Sequence, residues 1–203
     1  MPVASGSGHV GYQASRNGRG RVQLPVSAEN PIAPDGSPLR WEWFGTYETI
    51  DDPRWLQLVV QSWGTGMSAD SRSDFSVYTT WGFRENAWYL LDVWRGQVDY
   101  TDLKSKPLSL VNRWDPDHVL IEVAASGKPL FDELFFDDRR RYERIKPDKD
   151  KETRFQSACA PVEEGRVMLP IDAPWLVAFK RELQSFPRGR NDDQVDSVSQ
   201  FLN

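Results

Sequence analysis

Three apolar, β-rich runs follow one another with no room for a helix between them, which restricts this chain to folds containing an antiparallel meander. The runs are Arg54 to Trp63, Asp74 to Gly82 and Ala87 to Arg95, each rich in Val, Tyr, Thr or Trp. A Gly/Ser-rich loop from Gly64 to Ser73 joins the first pair, and a short Arg84-Glu85-Asn86 turn joins the second.

After the meander the pattern alternates. Tyr100 to Trp114 has helical spacing, with Pro107 expected to break or kink it. Val119 to Val123 reads as a short buried strand, and Gly127 to Asp137 as a helix with Leu130, Leu134 and Phe135 on one face. A short strand is expected at Tyr142 to Lys146, a helix at Lys149 to Cys159, an extended piece at Arg166 to Leu169 and a helix at Trp175 to Ser185. The last helix runs from about Asp192 to Leu202, with Val195, Val198 and Leu202 as its apolar face. A meander followed by strand-helix alternation describes an α/β domain with a mixed sheet. The ribonuclease H-like fold has this order of elements, and so do several other α/β folds.

With 203 residues, 39% of them hydrophobic, the chain can bury one sizeable core, expected over residues 41–203. Residues 1–40 are rich in Gly, Ser, Asn and Pro without a sustained period and read as an extended or poorly ordered lead-in. The nine tryptophans fall largely at strand positions, where packing is the first reading and base stacking the second. A single cysteine, Cys159, excludes an internal disulfide framework and a cysteine zinc site, and reads as a small buried residue. With only His9 and His118, a Ser-His-Asp hydrolase is poorly supported. No apolar run approaches the roughly 18 residues that span a bilayer, and the N-terminus lacks a signal core, so a cytoplasmic protein with no membrane partner is expected. The formal charge of −5 argues against a general electrostatic nucleic-acid binder, although a carboxylate site that takes up metal reverses its local sign.

The residues that could carry chemistry are acids at two element ends. Glu122 closes the apolar run His118-Val119-Leu120-Ile121, where a carboxylate is paired, exposed past the sheet edge, or a ligand. Asp192, Asp193 and Asp196 open the last helix. Capping by Asn191 or Asp192 explains one acid; the others share faces at spacings of three and four and repel unless a cation is bound. Acids converging from separate elements are what metal-dependent phosphodiester cleavage needs, because hard cations want oxygen ligands.

Other candidates are weaker. Ser126-Gly127-Lys128 resembles the end of a phosphate-binding loop, but Glu122 stands where glycine is needed and Pro129 follows the lysine. Arg139, Arg140 and Arg141 belong to a charge run that reads first as a solvated turn and second as a contact for DNA phosphates.

One set of segments is similar, in order, to the C-terminal part of the large terminase subunits of tailed bacteriophages. It comprises Val60-Gln61-Ser62-Trp63, Ser73-Asp74-Phe75-Ser76-Val77, Trp88-Tyr89-Leu90-Leu91-Asp92-Val93, Leu120-Ile121-Glu122 with Ala125-Ser126-Gly127, and Gly165-Arg166-Val167-Met168-Leu169-Pro170. Pro174-Trp175, Phe186-Pro187 and Asn191-Asp192-Asp193-Gln194-Val195-Asp196 complete it, and the resemblance covers about Trp41 to Asn203. It implies a ribonuclease H-like nuclease domain that cuts concatemeric phage DNA with two Mg²⁺ or Mn²⁺ ions, in the cytoplasm of a bacterial host. Double-stranded DNA, the small terminase subunit and the portal protein are the implied partners. Residues 1–40 then resemble the remnant of a linker from an absent packaging ATPase.

Carried over by position, the resemblance implies that Glu122, Asp193 and Asp196 are catalytic and that Glu122, Asp192, Asp193 and Asp196 hold metal, with Asp74 close enough to contribute. The first-strand catalytic aspartate falls on Gly64, so an impaired nuclease is expected. Asp70 lies in a loop that could reach the site but matches no position of the pattern. Two other readings remain: a non-catalytic DNA- or portal-binding remnant, and a resolvase-like nuclease of the same fold.

Overall fold

The structure is a computed structural model that describes residues 22–23, 37–50, 52–65, 75–97, 100–122, 127–137 and 141–203. The expected meander forms its centre as β3 (Leu58–Gly64), β4 (Ser76–Arg84) and β5 (Ala87–Gly96), all antiparallel. The first run is shorter than expected. Its leading residues fold as a single 3-10 turn, Pro53–Trp55, where Asp52 accepts a hydrogen bond from the Arg54 backbone N–H and proline fixes φ. Between β4 and β5, Glu85 and Asn86 both take positive φ, 50° and 63°, the conformation a two-residue hairpin loop requires. Asparagine tolerates it, and the Glu85 N–H is held by the Gln57 side chain at 3.1 Å.

The alternating half extends the sheet on both sides. The short strands β1 (Val22–Gln23) and β2 (Gly45–Tyr47) precede the meander. After it come α1 (Tyr100–Trp114), β6 (His118–Glu122), α2 (Gly127–Asp137), β7 (Tyr142–Ile145), α3 (Lys151–Glu163), β8 (Val167–Pro170), α4 (Leu176–Ser185) and α5 (Asp193–Leu202). The sheet order is β1-β2-β8-β5-β4-β3-β6-β7, with β6 parallel to β3 and β7, and β8 parallel to β5 and β2. It is a mixed sheet with helices, an α/β domain of ribonuclease H-like type, as the element order indicated.

Two helix expectations need correction. Pro107 does not break α1, which continues to Trp114 with Leu110 and Val111 buried, and α3 runs through Pro161 to Glu163, past the expected end at Cys159. Apolar packing of the flanking turns outweighs the lost backbone hydrogen bond in each.

Strand alternation sorts the core onto two faces. On one face, Trp63, Tyr78, Val119 and Ile121 pack with Leu110 and Val111 of α1 and with Leu130, Phe131 and Leu134 of α2. On the other, Val77, Trp81, Leu90 and Val93 meet Phe155 and Val162 of α3, Phe179 and Leu183 of α4, and Val195 and Val198 of α5. Trp63 and Trp81 are fully buried, which bears out a packing role for these tryptophans, and Cys159 is buried as expected.

Candidate functional site

The site is built where β3 and β6 end. These parallel neighbours pair Trp63 with Ile121, so Gly64 and Glu122, each one residue further on, stand side by side at their carboxyl ends. Trp63 and Ile121 point into the α1/α2 side, which turns positions 64 and 122 toward α5. A buried seam holds α5 on that side of β3: Ser62 Oγ donates to the Ser197 carbonyl at 2.9 Å, and Ser197 Oγ donates to the Ser62 carbonyl at 3.1 Å. Gln200 Nε2 reaches Ser62 Oγ at 3.0 Å and the Leu120 carbonyl at 3.2 Å.

The seam aims the first turn of α5 at the strand ends, where burial and Asp196 together raise the Glu122 pKa. Asp196 is itself shifted upward by burial, against the pull of Lys151 and Arg154. Both of its oxygens are engaged: Arg154 Nη2 lies 3.0 Å from Oδ1 and Lys151 Nζ 2.7 Å from Oδ2. Lys151 also donates to Asp192 at 2.8 Å.

Asp193 is directed elsewhere. It lies 3.6 Å from Arg95 Nη2, and burial, then neighbouring Glu182, push its pKa up to about 6. Arg95 stacks on Phe75, its guanidinium carbon 3.7 Å from the ring centroid.

Asp192 stands at the N-cap of α5 without making a side-chain capping bond, contrary to the capping expected of Asn191 or Asp192. Glu182 of α4 supplies the cap instead, accepting from the Gln194 backbone N–H and from Gln194 Nε2, both at 2.6 Å. Glu122 and Asp196 therefore meet beyond the ends of β3 and β6, with Asp192 joined to Asp196 through Lys151 and Asp193 on another face of the turn. Asp74 and Asp70, with Arg139 and Arg140, lie outside the described residues. Arg141 precedes β7, at the opposite end of the sheet from Glu122, and pairs with Asp115 at 3.0 Å.

Sequence reasoning missed Lys151, Arg154, Arg95 and Glu182. One signal was present: Lys151 and Arg154 are three apart on one helix and Asp192 and Asp196 four apart at the start of another, so each presents like charges on one face.

Residues 63–203, more than half of the chain, match the terminase RNaseH-like domain family. The chain belongs to that family. Solved structures of the same fold include the large terminase of a thermophilic bacteriophage, 12% identical with a TM-score of 0.60, matching 85% of this chain and 44% of that one. The large terminase nuclease of thermophilic phage G20c with bound cobalt is 15% identical with a TM-score of 0.55, covering 71% of this chain and 80% of that one. The Thermus phage P74-26 large terminase nuclease domain is also 15% identical, with a TM-score of 0.52 over 70% of this chain and 77% of that one. The chain thus spans less than half of the first of these large terminases and most of the two isolated nuclease domains. No curated protein matches it.

The G20c nuclease has been solved with cobalt and with zinc, so this terminase nuclease domain can be tested as a holder of divalent ions. Its residues as they stand do not fit such ions. Gly64 brings no ligand to the end of β3, and both oxygens of Asp196 already face cationic side chains. Among the described residues, no three His, Cys, Asp or Glu side chains converge closely enough to hold a metal ion. Nor is any helix among the described residues long and apolar enough to cross a membrane.

Proposed function

We propose that this chain is a terminase nuclease domain that still meets double-stranded DNA but has lost, at Gly64, the carboxylate on which cutting concatemeric phage DNA depends. The observation that carries this reading is the pairing of Gly64 with Glu122 at the ends of adjacent parallel strands, on the side turned toward α5. An acid at position 64 would complete a cluster drawn from β3, β6 and α5; glycine leaves Glu122 without a partner from β3. Among the described residues, a Cβ at Gly64 would meet only the Val77 carbonyl oxygen, at 3.7 Å, an ordinary contact, so the backbone itself accepts an aspartate there.

The intact form of such a site would take two Mg²⁺ or Mn²⁺ ions. In its setting, the cytoplasm of a bacterial host, the domain would work beside the small terminase subunit and the portal protein. Family membership supports these assignments and the contact with DNA, and the missing acid at the end of β3 supports the loss of cutting.

The test is plasmid cleavage with Mn²⁺ by the natural chain, by Gly64→Asp, and by Gly64→Asp combined with Lys151→Met. The natural chain is expected to leave supercoiled plasmid intact and the aspartate variants to nick or linearise it. If neither variant cuts, position 64 is not that of the lost acid; if the natural chain cuts as fast as they do, Gly64 is no lesion. Failure of the natural chain to retard duplex DNA in a gel would remove the DNA-contacting role.

A further inference from the structure

The first turn of α5 faces the first turn of α3, and acids of the one meet cations of the other. Asp192 and Asp196 bring two carboxylates; Lys151 and Arg154 bring two cations, each within 3.0 Å of a carboxylate oxygen. Lys151 bridges both acids, and Asp150 caps its helix by accepting from the Thr153 N–H at 2.9 Å, which fixes where the lysine begins. At the far end of α5, Asn203 Nδ2 donates to the Arg154 carbonyl at 3.0 Å, which ties the two helices outside the charge cluster as well. Arg154 is almost wholly buried, whereas the Lys151 side chain is 46% exposed on a flexible stem.

We infer that Lys151 and Arg154 are the built-in counter-ions of the α5 carboxylates, occupying their oxygens in place of divalent ions, so that the fold is metal-independent and Lys151 competes with any ion that arrives. A divalent cation approaching Asp196 meets a cationic side chain on each of its two oxygens, and repulsion at such short distances opposes its entry even at a partly solvated site. The buried guanidinium cannot leave without stranding its own charge. Lys151 can swing into water, which makes it the cation that decides whether metal binds. This inference rests on reading the α5 acids as the place where related domains hold metal. Failure of that reading appears as absence of cutting by the Gly64 variants, while metal affinity reports on Lys151 whether or not DNA is cut.

The experiment is titration of the full chain with Mn²⁺, following the free ion by electron paramagnetic resonance, for the natural protein, Lys151→Met and the exposed control Lys149→Met. Removing one competing charge is expected to tighten Mn²⁺ binding about tenfold or more in Lys151→Met, with Lys149→Met unchanged. Mn²⁺ should likewise raise the melting temperature of Lys151→Met and not that of the natural chain. Equal Mn²⁺ affinity in the natural protein and Lys151→Met overturns the inference, as does clear Mn²⁺ stabilisation of the natural chain. Should Lys151→Met fail to fold by circular dichroism, Lys151→Gln is read against the same criteria.

Discussion

The two halves of α5 are held in different ways. Its later turns are fastened to the sheet by neutral, buried groups: Trp81 Nε1 donates to Thr79 Oγ1 at 2.9 Å, and Thr79 Oγ1 in turn lies 2.9 Å from Ser197 Oγ, which bonds the Ser62 carbonyl. Phe201 stacks on Trp81 with ring centroids 4.5 Å apart. Its first turn buries Val195 in the core but turns its other side chains to charged partners, with Lys151, Arg154 and Arg95 against three aspartates and Glu182 capping the backbone. The later half places the helix; the first turn decides what the placed carboxylates can bind. A chain can therefore keep the position of this site while its acids and cations change, which is how Gly64 coexists with an otherwise complete scaffold.

Substitutions in the two halves should separate these roles. The largest loss is expected from Ser197→Val, which takes from the Thr79 hydroxyl its Ser197 partner and from the Ser62 carbonyl its side-chain donor in a fully buried place, and should cost about 3 kcal/mol in urea unfolding. If Ser197→Val costs less than substitutions in the charged turn, the seam is not what holds α5. Arg154→Met comes next, at about 2 kcal/mol: a buried partner of Asp196 disappears, while Lys151 remains to offset part of the loss. High salt should leave the Ser197→Val loss unchanged and shrink the part of the Arg154→Met loss that comes from exposed charge.

The same division explains what could be read in advance. The meander was legible because each run carries its own β-rich pattern and the turn between β4 and β5 is chemically marked by Asn86. The acids at the ends of β6 and α5 were legible as an ordered set. The insertion of β8 between β2 and β5 was not, because pairing partners more than 70 residues apart leave no local mark. Helix continuation through Pro107 and Pro161 depended on tertiary packing that local propensity does not contain. Lys151, Arg154, Arg95 and Glu182 belong to no motif; their roles exist only once α3, α4 and β5 are brought around the start of α5. Asp193 illustrates the limit: it was read with the acids around Glu122, yet the turn of the helix directs it to Arg95.

That redirection gives the smallest expected effect, one confined to the charged half. Burial and Glu182 raise the Asp193 pKa from 3.8 to about 6, and Glu122 and Asp196 are shifted in the same direction. Between about pH 4 and pH 6 the folded protein thus holds protons that the unfolded chain has released, so stability grows as pH falls through this window and is lost as pH rises toward 7. The exposed acids with lowered pKa, Asp52, Asp132 and Asp150, act in the opposite sense only below about pH 4. Lowering the pH from 7 to 5 should therefore raise the melting temperature by about 2–4 °C, corresponding to about 1 kcal/mol for a domain of this size. Asp193→Asn should flatten that rise, because the neutral amide no longer titrates. Ser197→Val should lower the whole curve without changing its slope. An unaltered slope in Asp193→Asn would mean that another acid carries the titration, and an altered slope in Ser197→Val would mean that seam and charged turn are coupled.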